Sequence, residues 1–126
     1  MKKKILAIFF AVFTVFNCFP SKSFASIEHK NRVLFLSSYN SSFPIFYQQI
    51  DGIKSILTAQ DFIIDLEFID SKRFFQEKNI NNFYDLLKYK IENNPQKYDA
   101  IIVGDDNAYD FSMKYENELF KRCLVI

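Results

Sequence analysis

Apolar residues in this chain fall into short runs separated by turn-forming stretches. Val33, Leu34, Phe35 and Leu36 form one such run within Asn31 to Ser37. It is continuous rather than alternating, which predicts a strand buried on both faces. Ser38 to Phe43 is polar and turn-forming, and Pro44 stands where a helix can begin. Phe46, Ile50, Ile53 and Leu57 follow at helical spacing, predicting an amphipathic helix that ends near Gln60. Phe62 to Ile69 alternates, with Ile64, Leu66 and Phe68 on one side and Asp65 and Glu67 on the other. That pattern predicts a strand with one wet face, at a sheet edge. Asp70 to Arg73 is a charged loop. A second helix is predicted over 79–93, with Ile80, Phe83, Leu87 and Ile91 aligned and Asn93-Asn94-Pro95 closing it.

Ala100 to Val103 reads as a third buried strand and Gly104 to Asn107 as the turn after it. A third helix is predicted from Ala108 to about Phe120, with Ala108, Phe111, Tyr115 and Leu119 on one face. A fourth buried strand is predicted to begin at Cys123. The order β-α-β-α-β-α-β with short connections predicts an α/β fold, a three-layer sandwich around a parallel sheet.

The N-terminus changes the picture. Lys2, Lys3 and Lys4 precede an apolar run from Ile5 to Phe16, and Ser23-Phe24-Ala25 supplies small residues for a cut. This is the order of a secretory signal peptide, with cleavage expected after Ala25. A membrane span needs about 20 apolar residues, more than this run offers before Asn17 and Pro20. The expected organisation is a signal peptide at 1–25, a spacer at 26–31 and one α/β region at 32–126. The expected location is periplasmic or secreted, with membrane contact only through the signal.

Removal of the signal takes four of the 16 basic residues (Lys2, Lys3, Lys4 and Lys22) and none of the 15 acidic ones, leaving 12 against 15, a net of −3. No basic stripe remains, so no nucleic-acid partner is expected. Only Cys123 remains of the two cysteines, so no intrachain disulfide can form. Lys121 to Ile126 reads as a strand that has only begun. The α/β region is therefore expected to be part of a larger lobe.

Ligands of open parallel sheets bind beyond the carboxyl ends of the strands. That rule selects Ser38 to Phe43, Asp70 to Phe74 and Gly104 to Asn107. The chain has two glycines, Gly52 and Gly104, too few for a phosphate cradle, and no cofactor is expected. His29, the only histidine, lies before the first strand, and Cys123 lies in a predicted buried strand, so no nucleophile–base pair is expected. Asp70, Asp105 and Asp106 share one sheet edge, where convergent carboxylates suit Mg²⁺. An exported metal-dependent hydrolase fragment is one alternative, and the non-functional product of a decayed gene is another. Asp105, Asp106 and Asn107 also read as helix-capping residues, with Asn107 as the N-cap and Asp110 three residues on resembling a capping box for the third helix, and acids in the first turn suit the helix dipole. Tyr39 and Phe43 offer stacking surfaces, Phe46 reads as the staple of the first helix to the sheet, and Lys72 and Arg73 are either solvated or anion-facing.

Three stretches also resemble a known family. They are Val33 to Ile53 (VLFLSSYNSSFPIFYQQIDGI), Phe68 to Phe74 (FIDSKRF) and Tyr98 to Ala108 (YDAIIVGDDNA). Together they resemble the periplasmic sensor domain of bacterial two-component sensor kinases. That domain is related to ABC-transporter substrate-binding proteins of the type I periplasmic-binding fold. In that family a Ser-Tyr-His segment follows the first strand, Met-Asp-Thr-Lys-Arg-Phe the second and Asp-Asp-Asn-Ala the third. Asn40 stands here where the family has His. The resemblance implies the first part of one lobe of a two-lobed domain that closes on a small solute without chemistry. A membrane kinase or an ABC permease is the implied partner. It also implies that Ser38, Tyr39, Asn40, Phe43, Asp70, Asp105, Asp106 and Asn107 line the ligand cleft.

Overall fold

The computed structural model describes residues 30–57 and 61–126. The signal-peptide stretch, most of the spacer with His29, and Thr58 to Gln60 lie outside the described residues; the first helix, expected to reach about Gln60, ends at Ile56, with Leu57 in extended backbone.

The described chain runs β1 (Asn31–Ser37), α1 (Phe46–Ile56), β2 (Phe62–Phe68), α2 (Glu77–Glu92), β3 (Ala100–Gly104), α3 (Asp106–Lys114), α4 (Glu116–Leu119) and β4 (Leu124–Val125). The four strands form one sheet in the order β2-β1-β3-β4. Every pairing is parallel, with Phe35 opposite Leu66 on one side and Ile102 on the other. The alternating α/β pattern read from the sequence is the observed one.

β1 is central and nearly all buried, because its apolar run must face helices on both sides. Leu34, Leu36 and Ile101 face α2 and α3, where Phe83, Leu87, Ala108, Phe111, Tyr115, Leu119 and Phe120 complete the larger core. Phe35 faces the opposite layer and packs with Phe46 and Ile50 of α1, flanked by half-buried Phe43, Ile53, Ile64, Phe68 and Ile102. Phe46 is thus the staple expected of it, with its ring 5.3 Å from Phe68 and 6.5 Å from Phe35.

β2 is an edge strand, as its alternation implies. Its acidic face is not simply wet, however. Arg32 Nε donates to Asp65 at 2.7 Å, Tyr98 Oη donates to the same carboxylate at 3.0 Å, and Lys90 pairs with Glu67 at 2.8 Å. Inward-facing charges on an edge strand oppose unwanted strand pairing, and the basic partners here neutralise them.

Three expectations need correction. α3 begins at Asp106, two residues early, with Asp105 as its N-cap. Asn107 is therefore inside the helix and no Asn107–Asp110 capping box forms; the Asp105 carboxylate takes the capping role by accepting from the Asp106 N–H at 2.7 Å. The predicted third helix is also two pieces. Tyr115 leaves helical geometry, and its ring packs 4.4 Å from Tyr84 and 4.8 Å from Phe111. The break lets the adjacent residues Leu119 and Phe120 both enter the core, which a straight helix would splay by about 100°. Finally, β4 is half-covered rather than buried: Leu124 retains 63% of its accessible surface, while Val125 is half-buried against the larger core.

Candidate functional site

The carboxyl ends of β1, β2 and β3 lie side by side, and the chain departs in opposite directions from β1 and β3, to α1 on one face and α3 on the other. This is a topological switch point, where open α/β sheets carry their ligand crevice. All the predicted site residues cluster along this edge.

From β1, Ser38 turns inward and is fully buried, and its Oγ accepts the N–H of Ala108 in the first turn of α3 at 2.8 Å. Tyr39 turns outward. Its ring stacks on Phe43 with centroids 3.8 Å apart and planes 8° from parallel. Asn40 holds its own loop by accepting the Ser42 N–H at 2.8 Å, and its amide donates to Asp70 Oδ1 at 3.1 Å.

From β2, Asp70 occupies left-handed backbone with φ 55°. Arg73 Nε donates to both of its oxygens, at 3.0 and 2.9 Å. These bonds from Arg73, with that from Asn40, hold the Asp70 carboxyl below the usual carboxylate range despite partial desolvation. Ser71 is buried beside it. Lys72 reaches across to Asp105 at 3.0 Å and lies 5.5 Å from the Tyr39 ring centroid. Lys72 and Arg73 are therefore ion-paired rather than freely solvated. Asn79 at the head of α2 closes the loop by donating to the Ile69 and Phe74 carbonyls.

From β3, Gly104 allows close packing: a Cβ there would sit 3.0 Å from Phe35 Cζ. Asp105 follows with φ 87° and ψ 161°, a region that suits glycine. Its carboxyl is held low first by the Asp106 N–H, then by Lys72, with a lesser contribution from the Tyr39 hydroxyl. Asp106 is exposed. Asn107 is half-buried and donates from Nδ2 to Ser71 Oγ at 2.8 Å.

The structure therefore brings together all eight residues expected to line a cleft, with Ser38 as an internal strut and the others at or near the rim. The acids do not converge: Asp70 and Asp105 each face a basic partner. Among the described residues no group of three or more His, Cys, Asp or Glu side chains is arranged to hold a metal ion. Cys123 lies away from this edge and donates to the Tyr98 carbonyl at 3.1 Å; burial, and then the charge of Asp99, push its thiol pKa up. Ser71 is the site residue that sequence reasoning missed. A serine inside a charged loop carries no pattern of its own, and only the register of β1 with β2 places it against Ser38.

The fold and this edge define an α/β protein with a parallel sheet and a crevice position at the β1/β3 switch point. No family model, no curated protein and no solved structure matches the chain.

Proposed function

We propose that this chain contributes one wall of an extracytoplasmic small-solute-binding domain, either a sensor input or a transport-linked binding protein, that performs no chemistry. The observation that carries this reading is the joining of three strand-end loops at the switch point. They present the Tyr39–Phe43 stack and the Asn40, Asp105 and Asp106 side chains along a single edge. Flat aromatic surface beside hydrogen-bonding groups is the usual composition of a small-molecule site. The resemblance of the Ser38 to Phe43, Asp70 to Phe74 and Asp105 to Ala108 segments to periplasmic sensor domains supports the same reading. In a two-lobed domain of that type the wall described here would face a second lobe, and lobe closure would report occupancy to a membrane kinase or a permease.

The test is a thermal-denaturation screen of the purified chain against a panel of sugars, amino acids, nucleosides and organic acids. A solute that raises the melting temperature in proportion to its concentration, and loses that effect in Tyr39→Ala and Asp106→Ala, is expected. No stabilising solute, or one indifferent to both substitutions, refutes the proposal. Export is tested separately: the chain recovered from outside the cytoplasm should begin at Ser26.

A further inference from the structure

We infer that Ser71 is a positioning residue that fixes the three strand-end loops relative to one another, so that the proposed binding wall is assembled before any ligand arrives. This rests on the solute-binding reading and specifies how that site is held.

Ser71 retains 3% of its accessible surface and Ser38 none. The Ser71 N–H donates to the Ser38 carbonyl at 2.9 Å, and its hydroxyl donates to the same oxygen at 3.2 Å. That hydroxyl also accepts from Asn107 Nδ2 at 2.8 Å. Ser38 in turn donates its N–H to the Gly104 carbonyl at 3.1 Å and accepts the Ala108 N–H on its Oγ at 2.8 Å. One buried neutral network thus joins the ends of β1, β2 and β3 to the first turn of α3. The residue at its centre must donate to a carbonyl and accept from an amide at once. Among small side chains a hydroxyl does both, and alanine does neither.

Apart from Phe43, which stacks on Tyr39, each group at the rim lies within two residues of a member of this network. Tyr39 and Asn40 follow Ser38, Asp70 and Lys72 flank Ser71, and Asp105 and Asp106 precede Asn107. The outer links, Asn40 to Asp70 and Lys72 to Asp105, are more exposed. Links of that kind are screened by water and contribute little rigidity. The buried layer therefore sets the geometry, and the ionic layer follows it.

The test is residue-resolved amide hydrogen exchange on the whole chain and on Ser71→Ala, Ser71→Thr and Asn107→Ala. Loss of the hydroxyl should speed exchange about ten-fold at Ala108 and through 39–43 and 105–107. Amides of Leu34, Phe35 and Ile101 should keep their rates. Ser71→Thr should restore the loop rates, Asn107→Ala should reproduce the loosening, and the Ser71→Ala/Asn107→Ala pair should be less than additive. Faster exchange spread equally through the strands would overturn the inference. So would a change confined to residue 71, a threonine variant as loose as alanine, or simple additivity. If Ser71→Ala does not fold, Asn107→Ala, on the half-buried face of α3, carries the same reading. The outcome is independent of the solute screen: a coupled wall that binds nothing refutes the proposed function alone, and a binding chain with uncoupled loops refutes this inference alone.

Discussion

Asp105 carries the most strained backbone of the edge, at φ 87° and ψ 161°, although a glycine stands one position before it. Gly104 has no positive φ, so its freedom is used for close approach to Phe35 and not for the turn. A side chain in this region costs about 1–3 kcal/mol. Three contacts hold Asp105 there. Its carboxylate accepts the Asp106 N–H, it pairs with Lys72, and its carbonyl receives the Ala108 and Tyr109 N–H groups, each at 3.1 Å. Asp105→Ala keeps the strain and loses the cap, about 1 kcal/mol, and the exposed ion pair, about 0–1 kcal/mol. A loss of about 1–2 kcal/mol is expected. Asp105→Gly loses the same side-chain contacts but relieves the strain, offset by about 0.5–1 kcal/mol of greater unfolded-state entropy. The glycine variant should therefore be more stable than the alanine variant by about 1 kcal/mol at the middle of these ranges and by at most about 2.5 kcal/mol. In a domain of this size about 1 kcal/mol separates their melting temperatures by about 4–8 °C. Urea unfolding followed by circular dichroism, supported by thermal melts, measures the difference. An alanine variant as stable as the glycine variant would refute the claim that strain is stored at this position.

Asp70 and Asp105 are both held below their ordinary pKa, so their folded-state values lie below the unfolded ones. Their contribution to stability is complete above about pH 4 and is lost as pH falls through the folded values. Urea midpoints measured from neutral pH to about pH 2.5 should therefore decline less in Asp70→Asn and Asp105→Asn than in the parent chain, with the gap shrinking at ~1 M salt. Tyr98→Phe removes one of the groups holding Asp65 and should cost about 0.5–1.5 kcal/mol; Arg32→Ala should cost more, because it leaves the part-buried Asp65 without its cation. A double-mutant cycle of the two should show coupling, and additive losses would count against a joint role. Gly104→Ala drives a Cβ against a Phe35 ring that is 2% exposed and should cost about 1–3 kcal/mol, with Phe35→Leu recovering part of that loss in the double variant.

The strands and the apolar faces of the helices were legible because burial imposes a period. Val33 to Leu36 reads as a buried strand and is one, Ala100 to Val103 reads as a strand although only Ile101 of the four is buried, and Phe83 and Leu87 face the core as their helical spacing implies. The capping box at Asn107 was misread because an Asn followed three residues later by an Asp fits the local pattern, while the true cap, Asp105, adopts a backbone conformation no propensity favours. The break at Tyr115 was invisible for a similar reason: tertiary packing of Tyr115, Leu119 and Phe120 overrides a helical repeat that reads as continuous. At the candidate site, the strand-end rule chose segments that do lie side by side, since topology alone places them. It did not reveal which members turn inward. Ser38 and Asn107 were grouped with the outward-facing Tyr39 and Asp106, and Ser71 went unnoticed, because the direction of a loop side chain follows from contacts across strands far apart in sequence.

The two layers on the sheet differ in depth, and this bears on how the edge works. The layer formed by α2 and α3 buries Leu34, Leu36 and Ile101 beneath a continuous set of aromatic and aliphatic residues, and so it holds the β2–α2 and β3–α3 loops on rigid supports. Among the described residues the other layer is α1 alone. Beside it Val33, Ile53, Ile56, Leu57, Phe62, Ala100, Ile102 and Ile126 line an apolar groove of about 360 Å³, and Ile56 remains 79% exposed. The Tyr39–Phe43 stack belongs to the loop that leads into this thinner layer. Left to its own packing, that loop would be the least fixed of the three. Its attachment runs instead through Ser38 to Ser71 and Ala108 on the well-packed side. The aromatic surface of the edge therefore takes its position from the α2/α3 core, through polar contacts, and not from the helix that follows it in sequence.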